Sequence, residues 1–162
     1  MTPLSSGYHW LEGSGKDRAL LVRFLARSYQ ELFPSTHDFA HVAIAVERYF
    51  APETPLWWVV RENKSLPERP LAHNSKIACL WIGNAIDQVT GDRYAHIFLL
   101  YVAPDHRRRG LGSALMQRAE NWASARGDRQ IGLQVFCHNQ AALQLYQRLG
   151  YQTQSLLMLK QL

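Results

Sequence analysis

The chain has 162 residues, 47% hydrophobic and 19% charged, with a net charge of +5 and two cysteines. That suffices for one domain with a substantial core and is too apolar for intrinsic disorder. No apolar run approaches the roughly 20 residues a membrane-spanning helix needs, and the opening "MTPLSSGYHWLEG" shows no basic-then-apolar leader. Cys79 and Cys137 each sit in a strand-like run. Two thiols cannot build a disulfide framework, so reduced, buried cysteines in a cytoplasmic protein are expected. With no CxxC, HExxH or acidic calcium loop, no metal is expected. The positive balance favours an anionic partner without naming it.

Tyr8–Glu12 reads as a first strand, broken by Gly13 and Gly15. From Lys16, apolar positions at Leu20, Leu21, Phe24, Leu25, Leu32 and Phe33 recur at three- and four-residue steps, predicting a helix that Pro34 ends. Ser35 or Thr36 is expected to cap a second helix carried by Phe39, Val42, Val46 and Phe50 and stopped before Pro52. "PLWWVVRE" predicts a strand and the proline-bearing stretch Asn63–Asn74 a loop. "KIACLWIGNAI" and "RYAHIFLLYVA" predict two strands, joined through "TGD" as an antiparallel hairpin. Leu111–Arg126 predicts a helix, "IGLQVF" a strand, and Asn139 caps a helix that stops at Gly150. "YQTQSLLMLKQL" reads as a last strand. The order is β-α-α-β-β-β-α-β-α-β in a single domain, residues 1–162: a mixed sheet with helices on its faces.

The densest charge lies in "VAPDHRRRGLGSALMQ", where a strand hands over to a helix. A helix N-terminus has unpaired amides and partial positive charge, and glycines let the backbone close around an anion. Arg107, Arg108 and Arg109 add charge-assisted donors, so the turn suits a diphosphate. Gly110-Leu111-Gly112 lacks the third glycine of a dinucleotide fingerprint, and no Gly-Lys-Ser/Thr makes it a P-loop. The helix beyond, with Gln117, Arg118, Glu120, Asn121 and Arg126, is too mixed in charge for a nucleic-acid face.

Val102-x-Pro104-x-x-Arg107-x-x-Gly110-Leu111-Gly112-x-x-Leu115 resembles the acyl-CoA signature of the GNAT acetyltransferases. A second motif, Asn139-x-x-Ala142-x-x-Leu145-Tyr146-x-x-Leu149-Gly150-Tyr151, follows at that family's usual distance. The resemblance implies the GNAT fold, a mixed, mostly antiparallel central sheet flanked by helices. It also implies acetyl-CoA as cosubstrate and a primary amine as acceptor. Carried over by position, backbone amides from Arg108 through Gly110, Leu111 and Gly112 to Ser113 hold the pyrophosphate. Leu100, Tyr101 and Val102 pair with the pantetheine arm like an added strand, and Asn139 touches the coenzyme. Tyr146 becomes both a coenzyme contact and the general acid toward the departing sulfur.

Acetyl transfer to an amine needs a neutral nucleophile, yet a lysine-type amine is neutral in only about one molecule in 2,500 at pH 7. A base or desolvation must correct that. The strand before the second motif often carries a glutamate in the family; Gln134 stands there and cannot accept a proton. The resemblance points instead to the preceding strand, six residues before Val102, where other members carry a glutamate or histidine; His96 stands there, on one face with Tyr94, Phe98 and Leu100 by strand alternation. His106 reads as a surface residue beside the turn. No cysteine occupies a motif position suited to a covalent intermediate, so direct transfer in a ternary complex is expected. Tyr8, Trp10, Tyr29, Tyr49, Phe50, Trp57 and Trp58 are available to wall an acceptor site or to fill the core, with Glu31, Asp38 and Glu47 scattered among them. The expectation is a cytoplasmic N-acetyltransferase without nucleic-acid or membrane partners, with an oligomer possible. Gln134 keeps a non-catalytic acyl-CoA-binding module as the alternative.

Overall fold

In a computed structural model the structure describes residues 3–62 and 76–162; the expected loop Asn63–Asn74 lies outside them. Five strands follow one another in space as in sequence: β1 (Tyr8–Glu12), β2 (Leu56–Arg61), β3 (Lys76–Ile86), β4 (Arg93–Val102) and β5 (Ile131–Leu133). Neighbours from β1 to β4 are antiparallel, and β4 pairs with β5 in parallel. Helices α1 (Arg18–Leu32) and α2 (Val42–Tyr49) cover one face; α3 (Leu111–Ala125) and α4 (Gln140–Arg148) cover the other.

Strand alternation divides the core accordingly. Trp58, Cys79, Trp81, Leu99 and Tyr101 pack with Leu21, Phe24 and Leu25 of α1 and Val42 and Val46 of α2. Val59, Leu80, Ile82, Ala95 and Ile97 pack with Leu111, Leu115, Met116 and Ala119 of α3. On the α3 side the Arg118 guanidinium lies over both Trp10 and Trp57, at 4.6 and 4.7 Å from the ring centroids, a cation–π clamp between helix and outer strands. Asp17, just before α1, accepts from Lys76 Nζ at 2.5 Å and ties the helix to the start of β3.

α1 ends before Pro34 as the sequence expects, and several elements after it depart from expectation. α1 stops at Leu32 because Phe33 precedes a proline and is driven out of helical backbone. Ser35 and Thr36 do not cap α2. The chain turns on through residue 41, with Asp38 Oδ1 accepting from the Ala40 amide, a local side-chain bond that competes with helix. β5 covers Ile131–Leu133 and not the whole of "IGLQVF". Cys79 is buried as expected, whereas Cys137 is exposed beyond β5, and both thiols are free. Residues 151–162 form no strand, and every one from Gln152 to Leu162 is exposed. A strand needs a partner as well as a pattern, and no described strand pairs with this segment.

The feature that sets the site is a bulge in β4. Trp81 pairs with Leu99 and Ile82 with Ile97, so Phe98 is an extra residue. The alternation slips by one there: His96 and Phe98 face α1 and α2, and so do Leu99 and Tyr101, while Leu100 and Val102 face α3. Sequence alternation had placed Leu100 with His96; the bulge separates them. Opposite it stands Gly83, where an added Cβ would lie 2.2 Å from Phe98 Cε2. Replacing Gly83 with alanine overpacks the bulge, at a cost of about 1–3 kcal/mol. Thermal unfolding of Gly83→Ala followed by circular dichroism will show a melting temperature several degrees lower.

Candidate active site

β4 and β5 stay together only over Ala95–Ile97 and Ile131–Leu133. Past this point β4 runs on to Val102 with its β5-side edge unpaired among the described residues. The Ala103 amide bonds back to Ile77 O on β3, so the Val102 carbonyl, across the same peptide unit, points to the open edge. Period-two geometry turns the Leu100 N–H and C=O and the Val102 N–H the same way. Arg107 Nε takes the Val102 carbonyl at 2.8 Å; the other three groups remain available to an extended ligand.

The open edge leads into the arginine turn. Pro104–His106 form one 3-10 turn, Arg107 is extended, and Arg108 and Gly110 both adopt left-handed backbone with φ of 61° and 77°. Arg108 is the one non-glycine residue with positive φ among the described residues, a conformation L side chains occupy at a cost. Alternating left-handed residues gather successive N–H groups into a concave nest. Gly110 caps α3 without a side-chain bond, leaving the first-turn amides of Leu111, Gly112 and Ser113 free for an anion. An extended edge followed by an amide nest fits a ligand with an amide-bearing arm and a diphosphate.

The three arginines differ. Arg107, expected at the phosphates, is engaged elsewhere: besides Val102 O it donates to Glu31 Oε2 on α1 at 2.5 Å, and Tyr101 Oη donates to Glu31 Oε1 at 2.6 Å. Burial and the Glu31 carboxylate push the Tyr101 phenol up to about 12. Arg108 and Arg109 are exposed on the turn. A strap from the N-terminal segment braces it, with Ser5 Oγ donating to Arg109 O at 2.9 Å and Tyr8 Oη 2.9 Å from His106 Nδ1. His106 is therefore half-buried and not simply a surface residue. Desolvation, then the charges of Arg61 and Arg109, hold it below the usual histidine range. The bracing roles of Glu31, Ser5 and Tyr8 escaped sequence reading because their partners lie far along the chain.

His96 pairs with Gly132 one residue before the strands part. Its ring sits edge-on to Phe98 at 5.0 Å, and its buried Nδ1 has no hydrogen-bond partner. Desolvation lowers its pKa, so the imidazole is neutral near pH 7. Tyr146 belongs to the α3–α4 side, packing beside Leu145 and Leu149, and burial raises its phenol to about 12. His96 and Tyr146 thus lie on opposite faces of the sheet, His96 one pair before β4 and β5 part. Asn139 caps α4, its Oδ1 accepting from the Ala142 amide at 3.3 Å, which leaves the amide nitrogen for a ligand. Gln134 is exposed beyond β5.

The aromatic residues considered for an acceptor wall divide. Trp57 and Trp58 are core, and Trp10 holds Arg118. Tyr49 is 46% exposed and stacks on Phe98 at 5.1 Å, and Tyr29 meets Phe39 and Phe136. Phe33 packs on both Phe136 and His138, and His138 Nε2 lies 3.1 Å from Leu32 O, so the segment after β5 leans on the end of α1.

Residues 21–151 match the model of the acetyltransferase (GNAT) family. The chain belongs to this family. It is 38% identical over 81 residues to the [ribosomal protein bS18]-alanine N-acetyltransferase of Escherichia coli, half of this chain and 51% of that one. It is also 38% identical over 74 residues to an uncharacterised N-acetyltransferase of Methanocaldococcus jannaschii, 46% of this chain and 31% of the other. The chain thus spans about a third to a half of the length of these curated relatives. A Clostridium acetobutylicum structure, described as an acetyltransferase with acetyl-CoA, shares the fold with a TM-score of 0.70 at 21% identity, covering 94% of this chain and 96% of that one. Among the described residues no helix is long and apolar enough to cross a membrane, and no cluster of histidine, cysteine and acidic side chains could hold a metal ion.

The nest of this GNAT chain depends on Gly110, where an added Cβ meets nothing within 4 Å. The cost of Gly110→Ala is therefore conformational alone, about 1–2 kcal/mol, and will appear as a lower denaturant midpoint with an unchanged slope.

Proposed function

We propose that this GNAT protein, acting as a single domain, transfers an acetyl group from acetyl-CoA to a primary amine in a complex holding both substrates. The observation that carries the reading is the open β4 edge at Leu100 and Val102, continuous with the left-handed nest at Arg108–Gly110. The Leu100 N–H and C=O and the Val102 N–H would pair with the pantetheine amides as an added strand does. Amides from Arg108 to Ser113, with the Arg108 and Arg109 side chains, would hold the diphosphate. Arg107 would act from behind, fixing Val102 and Glu31, and Asn139 and Tyr146 would border the arm from α4. Bound acetyl-CoA supplies an activated acyl group and a thiolate leaving group.

His96 is the base in this reading. Neutral at pH 7, with an unpaired Nδ1, it can take a proton from an ammonium directly or through one water. Tyr146 stabilises the leaving sulfur by donating a hydrogen bond. A phenol near 12 would give up its proton to a thiolate whose thiol has a pKa near 8.5 only uphill, by roughly 5 kcal/mol, so full proton transfer to the sulfur is disfavoured. Cys79 is fully buried with its thiol pushed up by desolvation, which removes it as a nucleophile; Cys137, exposed beyond β5, is the cysteine to replace as a control for direct transfer.

The 38% identity over 81 residues to an enzyme named for a protein alanine terminus directs the first acceptor trials to peptides beginning with alanine. Polyamines, lysine peptides and aminoglycosides complete a panel assayed as thiol released from acetyl-CoA. Turnover on one class establishes the enzyme; tight acetyl-CoA binding without turnover on any amine would make this a binding module instead. The kcat/KM profile will have an acid limb with its midpoint below about pH 6.5, because His96 must be neutral and its pKa is lowered. His96→Ala will remove that limb and reduce kcat roughly 10²-fold or more. Tyr146→Phe, which deletes one donor to developing charge, will lower kcat by roughly 10²-fold.

A further inference from the structure

Two glycines flank His96 on the sheet. Its partner on β3 is Gly83 and its partner on β5 is Gly132, so neither neighbouring strand sets a side chain beside the imidazole. Residues directly opposite one another share a face, and glycine inside a strand weakens it, offering nothing to pack and losing more chain entropy on folding. The space is nonetheless filled. An added Cβ at Gly83 would lie 2.2 Å from Phe98 Cε2, and one at Gly132 would lie 2.8 Å from Tyr94 Cε2. Phe98 therefore leans across Gly83, and Tyr94 leans the other way across Gly132.

Both rings also touch the histidine. Tyr94 meets the imidazole at 6.2 Å with 68° between the ring planes, and Phe98 meets it at 5.0 Å with 67°. Phe98 is itself fixed, with Trp81 of β3 at 4.8 Å and Tyr49 of α2 at 5.1 Å. His96 thus has a ring before it and a ring after it on β4, and the same two rings fill the gaps on either flank. Side chains at positions 83 and 132 would push both rings aside. β3 and β5 bring glycines to this level, and the titratable side chains in the ring cluster are Tyr94 on β4 and, beyond Phe98, Tyr49 on α2. No neighbouring charge enters: burial is the cause that lowers the His96 pKa.

We propose that Tyr94 and Phe98 are positioning residues for His96, their rings fixing the imidazole and excluding water from its flanks, in room that Gly83 and Gly132 leave for them. The inference rests on His96 being the base of the proposed acetyl transfer, and it adds residues that act through that base and not on the substrate. A base held in one orientation meets the acceptor ammonium at hydrogen-bond distance more often than one that turns freely. A dry flank also keeps the imidazole neutral, since desolvation disfavours its charged form. Two glycines at one level of the sheet are the structural cost of that arrangement.

The test reads the imidazole directly. An NMR titration of the histidine ring signals, with that of His96 assigned by its loss in His96→Gln, needs neither coenzyme nor acceptor. The wild-type protein and Tyr94→Phe, which keeps the ring, will titrate below about 6.5, and Tyr94→Ala, which admits water, will titrate near about 6.5. Gly132→Ala displaces the Tyr94 ring while both side chains remain, and will raise the midpoint in the same direction. At about pH 8 the imidazole is neutral in every variant, so kcat there reports orientation. Tyr94→Ala and Gly132→Ala will lose roughly 10- to 100-fold in kcat with the KM for acetyl-CoA unchanged. A His96 midpoint that Tyr94→Ala leaves unmoved, or a kcat that it leaves unchanged, overturns the inference. Should that variant not fold, Gly132→Ala decides by the same two readings. Absence of turnover in the wild-type protein as well removes the acetyl-transfer reading itself, and with it the base that these rings serve.

Discussion

The site depends on where β4 stops being an ordinary strand. One extra residue, Phe98, lies between the pairs Trp81–Leu99 and Ile82–Ile97, and parallel pairing with β5 ends at Ile97 and Leu133. The bulge keeps the neutral His96 on the α1–α2 face and turns Tyr101 toward Glu31. With the loss of β5 as neighbour, the backbone of Leu100 and Val102 meets no strand on that side among the described residues. Gly83 is the counterpart of this arrangement, since any side chain there would occupy the space of the Phe98 ring.

Charge is distributed around that opening by function. Arg107 is the most constrained of the three arginines, held by the Val102 carbonyl and Glu31; it couples α1 to the end of β4. The half-exposed ion pair is worth little stability by itself, and its role is geometric. Arg108 and Arg109 stay on the exposed turn above a nest braced by Ser5 and by the Tyr8–His106 pair. Farther off, the buried Asp128 carboxylate is bonded by both Arg93 and Arg126. Burial alone would raise its pKa, but these bonds and charges outweigh it and hold the group below the usual range. This fixes the turn between α3 and β5 and with it the start of β5.

Most of the fold was legible from period and punctuation. The hairpin of β3 and β4, α1 ending before Pro34, and α4 between Asn139 and Gly150 follow from apolar spacing, a proline, a cap and a left-handed glycine. The arginine–glycine turn was legible because it depends on local backbone chemistry. What escaped depends on pairing. The bulge reveals itself only when β3 is laid beside β4, although Gly83 inside a strand was a signal of close approach. The last strand expected at residues 151–162 does not form, because its pattern meets no described neighbour that could pair with it. Arg107 was read with Arg108 and Arg109 as a charge-assisted donor to phosphate, while its partner Glu31 lies 76 residues away in sequence, beyond any local rule.

The central claim is that an extended ligand joins the sheet along the open β4 edge and ends in the nest at the start of α3. Residue-level amide hydrogen exchange, with and without saturating coenzyme A, tests it most directly. The account predicts new protection at the Val102 and Leu100 amides and from Arg108 to Ser113, with the amides of β1 and β2 unchanged. Binding that leaves Leu100 and Val102 exchanging as before, or that protects a different surface, would contradict it.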